Sequence, residues 1–306
     1  MIQKKILEKY TITENYVDVG ERKIFVQLIE DNLALKDAAP IILIPGGPGA
    51  NASSIFPHLK NLLKHGPVIV FDPADVGKSD PFLRTLESDI EELECIRIFF
   101  KIKKWIVLGI SYGGIVAQEY AVKYQEHIRK LILSVTIPCY NALQDARQNL
   151  SKLKTTEQQH LFASHLLKGE VSADMLPIGK YMKILSPLYS MKVRQNPEKY
   201  NDQPVIRSEN FSVRTLNNGF KTFLQSFDVI AKLKTIKVPT LVCGGKYDWI
   251  CDPKHSYTIA KEIPNAHLSI FASGHSILID CPTAYFKTID LFFEDVLSVG
   301  DTEHMG

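Results

Sequence analysis

Cysteine is scarce and unpatterned in this chain. Its 306 residues hold five, Cys95, Cys139, Cys243, Cys251 and Cys281, with no C-x-x-C pair. An odd number without that spacing points to neither a disulfide framework nor a zinc knuckle, and leaves buried thiols in a reducing compartment. Charge of one sign is equally scarce: 36 Lys and Arg stand against 34 Asp and Glu, a net +2. A nucleic-acid partner calls for a concentrated basic face, so none is expected. Long apolar runs are missing as well. LILSVTIPC (131–139) is far shorter than the ~20 residues of a spanning helix. The stretch MIQKKILEKYTITENY lacks the unbroken apolar segment of a secretory signal. The expectation is a soluble, cytoplasmic protein with no membrane partner.

Nucleotide-binding patterns are absent too. Gly46–Gly47–Pro48–Gly49 does not have G-x-G-x-x-G spacing. Asp72 to Ser79 ends in Gly77–Lys78–Ser79, yet the position of the first glycine of a phosphate loop is Asp72. His160 and His165 lie five apart on one helical segment, which turns them to different faces and makes no metal pair. No cofactor and no metal are expected.

What is present is an alternation of buried strands and helices. NYVDVG (15–20) and KIFVQLIE (23–30) flank Gly20–Glu21–Arg22 and read as an antiparallel hairpin. IILIP (41–45), PVIVFD (67–72), KWIVLG (104–109) and RKLILSV (129–135) are short apolar runs without polar alternation, which suits strands buried on both faces. Between Tyr112 and Gln125 the residues Ala117, Tyr120, Ala121 and Tyr124 repeat at helical spacing. Strand–helix alternation of this kind predicts a mostly parallel twisted sheet with helices on both faces. Residues 138–235 break the pattern. They are more polar and mainly helical in period, with amphipathic segments at 141–153 and 155–169 and a loop at 196–204. Buried strands return in PTLVCGG (239–245) and AHLSIF (266–271), with a helix between them from Asp252–Pro253 and another over 282–297. The expected organisation is a core of 1–137 and 236–306, with 138–235 inserted as a helical cap over the strand ends.

Gly109–Ile110–Ser111–Tyr112–Gly113 matches G-x-S-x-G between a strand and a helix. In that setting a serine sits on a strained turn with its Oγ exposed, and the glycines give neighbouring strands room. The competing reading is a plain helix start. A nucleophilic serine needs a base, and the base needs an orienting carboxylate, in the chain order Ser, acid, His. Asp248 follows TLVCGG at a strand end, the edge where ligands gather in open α/β sheets. Asp252 competes, but Asp252–Pro253 is a good helix start. His275 follows AHLSIF in the same kind of position. His267 begins that strand, and His58, His65, His127 and His255 show no partner pattern. Oxyanion donors are expected from the Tyr112 N–H and from the glycine loop after IILIP, Gly47 first and Gly46 second.

With these residues assembled, the chain resembles the α/β-hydrolase superfamily, and within it the proline iminopeptidase-like group. GGPG (46–49) is the most specific piece, with Pro45 where the group has His. FDPADVGKSD (71–80) resembles D-Q-R-G-x-G-x-S with Ala74 at the Arg position. GISYGG (109–114) resembles G-x-S-W-G-G with Tyr112 for Trp. KVPTLVCGGKYD (237–248) and SGHSILIDCP (273–282) resemble the acid and histidine blocks. The resemblance implies an α/β-hydrolase fold and a triad of Ser111, Asp248 and His275. It also implies a serine hydrolase that releases N-terminal residues from small peptides by an acyl-enzyme route.

The group binds a substrate's free amino terminus with carboxylates. Here Asn210 takes the place of the Glu in a G-P-N-E-F-like motif, and Glu209 is shifted by one. Trp249 replaces the Glu after the catalytic Asp. A buried cationic amine needs a carboxylate partner, which neither Asn210 nor Trp249 supplies. Trp249 is instead expected as an apolar wall beside the triad. An apolar ester, lactone or amide is therefore the alternative substrate, and a catalytically silent small-molecule receptor the minor one. The partner in either enzymatic reading is a small molecule or short peptide.

Overall fold

A computed structural model describes residues 3–6, 9–32, 38–172, 176–200, 210–297 and 301–304. Among the described residues ten strands form one sheet: β1 (Gln3–Ile6), β2 (Tyr10–Val19), β3 (Arg22–Asp31), β4 (Ile41–Ile44), β5 (Val68–Asp72), β6 (Trp105–Ile110), β7 (Ile128–Ser134), β8 (Thr240–Gly245), β9 (Ala266–Phe271) and β10 (Asp301–His304). Their order is β1-β2-β3-β5-β4-β6-β7-β8-β9-β10. The β1, β2, β3 and β5 pairings are antiparallel, and every pairing from β5 through β10 is parallel.

The apolar runs fall where burial on both faces demands them. Side chains alternate across a strand, and in β6 Trp105 and Val107 enter one core while Ile106 and Leu108 enter the other. The hairpin turns at Gly20–Glu21, where Gly20 takes φ +59°. Its strands run longer than expected, because the ladder pairs Tyr10 with Asp31 beyond the apolar stretch. Neither β1 nor β10 has a signal in the local pattern. Both are four-residue edge strands made of polar-rich segments, held by backbone pairing to β2 and β9.

Helices α1 (Lys60–Leu63), α2 (Leu86–Phe99) and α3 (Tyr112–Tyr124) connect the first strands. Between β7 and β8 lie α4 (Ala142–Lys152), α5 (Glu157–Lys168), α6 (Ile178–Tyr189), α7 (Met191–Gln195), α8 (Val213–Lys221) and α9 (Ile230–Leu233), with no named strand among the described residues there. The chain then adds α10 (Pro253–Glu262), α11 (Ile277–Asp280) and α12 (Pro282–Phe293). Local chemistry sets their ends. Thr156 and Gln159 form a capping box at the start of α5, and Gly169 closes it at φ +68°. Asp252 caps α10 and Pro253 opens it, as expected. α12 stops at Phe293, four residues before the expected end. None of the five cysteines is in a disulfide. No helix among the described residues is long and apolar enough to cross a membrane.

Candidate active site

Ser111 is the single residue between the end of β6 and the start of α3. It holds φ +56° and ψ −119°, a conformation L side chains avoid. Such strain costs roughly 1–3 kcal/mol and needs surrounding structure to hold it. Ser111 N–H donates to the Ser134 carbonyl at 2.8 Å, and its own carbonyl accepts from Gly114 N–H at 2.9 Å. Two glycines give the turn its room. A Cβ on Gly113 would lie 2.1 Å from the Ile44 carbonyl oxygen, and one on Gly109 would lie 2.3 Å from that of Gly113.

The structure brings Ser111, His275 and Asp248 together from three loops at strand ends. His275 Nε2 lies 3.0 Å from Ser111 Oγ, and His275 Nδ1 lies 2.7 Å from Asp248 Oδ2. Asp248 is buried, and its Oδ1 accepts from the N–H groups of Ile250 at 2.9 Å and Cys251 at 3.0 Å. Those two bonds fix the carboxylate plane and leave Oδ2 for the histidine. Asp252 stays at its helix cap, with Oδ1 accepting from Lys254 N–H at 3.0 Å. The histidine hydrogen-bonded to the serine is His275, whereas His65 pairs with Asp290, His127 with Glu94 and His255 with Asp145. Their partners are far apart in sequence, which is why no pattern shows them.

A further acidic group holds the histidine loop. Asp280, buried on α11, accepts from Ser190 Oγ and Lys192 N–H on Oδ1, and from Met191 N–H and Gly274 N–H on Oδ2. One carboxylate therefore ties the α6–α7 junction to the residue before His275. Tyr189 at the end of α6 meets the His275 ring edge-on at 5.5 Å. Burial first, and then the nearby Asp248 charge, push the Tyr189 hydroxyl well above its ordinary value, so it stays neutral. The histidine block in the sequence contains Asp280, but spacing alone did not set it apart.

On the other side of Ser111 lies the glycine loop. A Cβ on Gly46 would come within 3.3 Å of Ser111 Cβ, and Gly47 lines the pocket above the serine. The Tyr112 N–H belongs to the first turn of α3, where backbone donors have no helical partner. Tyr112 is anchored from below. Its hydroxyl donates to Asp89, which pairs with Arg84 through two bonds of 2.8 and 2.7 Å. All three residues are buried. Their spacing in the chain carried no signal.

The pocket holds about 410 Å³ of empty space, part of it open to solvent. Ile115, Ile137, Leu143, Phe220, Leu224 and Phe227 supply much of its wall, with Cys251 beside the acid. Burial, with help from Asp248, pushes the Cys251 thiol well up, so it stays protonated. Asp248, Cys251 and His275 place donor atoms within 4.8 Å of one another. Both oxygens of that carboxylate and both ring nitrogens of the histidine are engaged in the hydrogen bonds given above.

Of the expected substrate contacts, Gly46 lies against Ser111, whereas Trp249 and Asn210 turn to other partners. Trp249 is buried edge-on against Tyr189 at 6.2 Å, one ring behind His275, and Ile250 and Cys251 face the pocket in its stead. Asn210 turns to Asn51, accepting from its N–H and from its side-chain amide, both at 3.3 Å. Glu209 lies outside the described residues.

Comparison with known proteins agrees with this architecture. Residues 39–282 match the family model for the alpha/beta hydrolase fold. A proline iminopeptidase, PfmaB, of Pestalotiopsis fici is 30% identical over 262 residues, covering 80% of this chain and 88% of its own length. The proline iminopeptidase of Heyndrickxia coagulans is 26% identical over 297 residues, covering 93% and 99%. Among solved structures, the proline iminopeptidase of Mycobacterium smegmatis superposes with a TM-score of 0.71 at 19% identity, covering 92% of this chain and 98% of that one.

Proposed function

This chain belongs to the α/β hydrolase fold family, in its proline iminopeptidase-like group, and from that premise we propose a serine hydrolase that works through an acyl-enzyme. Ser111 Oγ attacks the carbonyl carbon of the substrate. His275 Nε2 takes the hydroxyl proton and passes it to the leaving group. Asp248 holds the proton on Nδ1 and stabilises the imidazolium. The Tyr112 and Gly47 N–H groups receive the negative oxygen, each worth about 3 kcal/mol when the site is dry. Water then repeats the sequence and releases the acid. The observation that carries this reading is the continuous hydrogen-bond chain Ser111–His275–Asp248 opening into an apolar pocket.

The relatives favour the N-terminal residue of a short peptide as the acyl part, with 138–235 acting as a cap that limits length. The pocket favours a second reading, an apolar ester, lactone or amide without a free amine. Asn210 is spent on Asn51 and Trp249 stands behind Tyr189, so neither offers an ammonium group a carboxylate. One panel separates them: proline and alanine arylamides, the same compounds N-acetylated, and p-nitrophenyl esters of rising chain length. A large gain in kcat/KM from the free amine supports the peptidase. No gain, with faster turnover of apolar esters, supports the second reading. Covalent labelling of Ser111 by a fluorophosphonate is expected in both. No labelling, or labelling that survives Ser111→Ala, overturns the proposal.

A further inference from the structure

The helix α8 and its lead-in are packed into the glycine loop more tightly than a cover needs to be. Ser212 N–H donates to the Gly49 carbonyl at 2.7 Å, and Asn51 N–H to the Asn210 carbonyl at 3.3 Å. An antiparallel bridge joins Ala50 and Phe211. There is no spare room. A Cβ on Gly49 would lie 2.4 Å from the Ser212 carbonyl oxygen, and one on Gly219 would lie 2.4 Å from Pro48 Cγ. Any movement of α8 must therefore move residues 48–51, which follow directly on Gly46 and Gly47 at the serine.

Asn217 and Asn218 tie the middle of α8 to Val171 and Arg84, and its first turn is held by one side chain outside the pocket. Asp75, in the loop after β5, accepts on Oδ2 from the hydroxyls of Ser212 and Thr215 (the latter at 2.8 Å) and from Arg214 Nε at 3.1 Å. Arg214 also donates to Oδ1, which makes the pair two-pronged. Ser212 is at the same time the N-cap of α8, accepting from Thr215 N–H at 3.0 Å. The carboxylate thus gathers the N-cap and two polar residues of the first turn, Arg214 and Thr215, and it sits at the favourable end of the helix dipole. Asp75 itself takes φ +66°, a conformation costly for most side chains and cheap only for Gly, Asn or Asp. The backbone is held in that conformation with the carboxylate aimed at α8.

We propose that Asp75 is a positioning residue for the oxyanion hole. By clamping the first turn of α8 it holds the Gly46–Gly49 loop, and the Gly47 N–H with it, at the distance from Ser111 that the developing oxyanion requires. The inference rests on the serine-hydrolase reading, and its point is that part of the inserted segment supports the chemistry as well as covering it. Preorganised donors lose their effect steeply with displacement. Releasing the first turn of α8 therefore lowers kcat more than it raises KM, because Phe220, the residue of α8 that lines the pocket, lies at the far end of the helix.

The test uses Asp75→Gly, which removes all four contacts yet suits the positive φ. Asp75→Asn, which keeps an oxygen for the two hydroxyls and gives up the charged pair, is the milder variant should glycine fail to fold. Active sites are counted by end-point fluorophosphonate labelling, so that kcat refers to folded, labelled protein. Labelling of the unaltered protein at Ser111 tests the underlying reading separately. For Asp75→Gly, kcat on p-nitrophenyl butyrate per labelled site is expected to fall by roughly 10- to 100-fold with KM within about 3-fold, a fraction of the effect of losing one oxyanion donor. The Ki of an apolar trifluoromethyl ketone, whose adduct carries the oxyanion, is expected to rise in parallel. Asp75→Asn falls between. A kcat per labelled site within about 2-fold of the unaltered protein, whatever the melting temperature, overturns the proposal and leaves Asp75 as a stability clamp only. A rise in KM with kcat unchanged overturns it as well.

Discussion

The substitution Asp248→Asn separates an orienting carboxylate from a merely buried one. Asp248 Oδ1 accepts two backbone N–H bonds, from Ile250 and Cys251, and Oδ2 faces His275 Nδ1 at 2.7 Å. An asparagine has one acceptor oxygen for these two positions. Placing its NH2 group on the Oδ1 side would confront two buried donors with a third, at about 1–3 kcal/mol for each donor left unmet. The carboxamide oxygen therefore stays with the backbone, and the NH2 group points at Nδ1. His275 must then accept at Nδ1 and carry its proton on Nε2, where it donates towards Ser111 Oγ and cannot take the serine's proton. A wrong tautomer in a Ser–His–Asp site costs about 10⁴-fold in kcat, which is about 5.5 kcal/mol. The assay is kcat on a p-nitrophenyl ester per titrated site, with a melting curve to show that the fold survives. A loss below about 10-fold would refute the reasoning, because it would leave the tautomer free of Asp248.

Other consequences follow from the same contacts. Gly113→Ala sets a Cβ 2.1 Å from the Ile44 carbonyl, so a loss of about 3 kcal/mol or more in chemical denaturation is expected, and an unchanged midpoint would contradict the elbow geometry. Asp280→Asn turns an NH2 group towards two of the four donors now facing the carboxylate. A loss of about 3 kcal/mol is expected, together with a lower kcat through the His275 loop, and stability within about 0.5 kcal/mol would count against that role. Burial first, and then the Asp89 charge, push Glu92 up to about 7 from an ordinary 4.5. The unfolded chain releases that proton near its ordinary value while the folded chain keeps it, so stability falls as pH rises from 4.5 through 7, by on the order of 3 kcal/mol in full. Glu92→Gln removes that slope, and its melting temperature relative to the unaltered protein should climb across the window. A flat difference would show that Glu92 is ionised throughout.

The legible part of this molecule was the part written in local pattern. β4 to β9 appear within one residue of their apolar runs, because strands buried on both faces leave unbroken hydrophobic stretches. Ser111, Asp248 and His275 could be picked out because each follows such a strand and they come in a fixed order. The illegible part is made of buried polar contacts between distant segments. Tyr112 finds Asp89 across 23 residues, Ser212 finds Asp75 across 137, and Ser190 finds Asp280 across 90. Such pairs have no period and no motif, and only the packing of α8, α2 and α11 against the core reveals them. Trp249 shows the same limit. Its position after Asp248 put it near the triad, but the turn that gives Asp248 its two N–H donors directs Ile250 and Cys251 to the pocket and the indole behind Tyr189.

The claim at the centre of this account is that Ser111 is acylated during turnover. Acid quenching in the first turnovers of a p-nitrophenyl ester, followed by intact mass and peptide mapping, reads that directly. One acyl group is expected on the peptide carrying Ser111, formed at the rate of the p-nitrophenol burst and absent from Ser111→Ala. Turnover without an adduct, or an adduct on another residue such as Cys251, would contradict it.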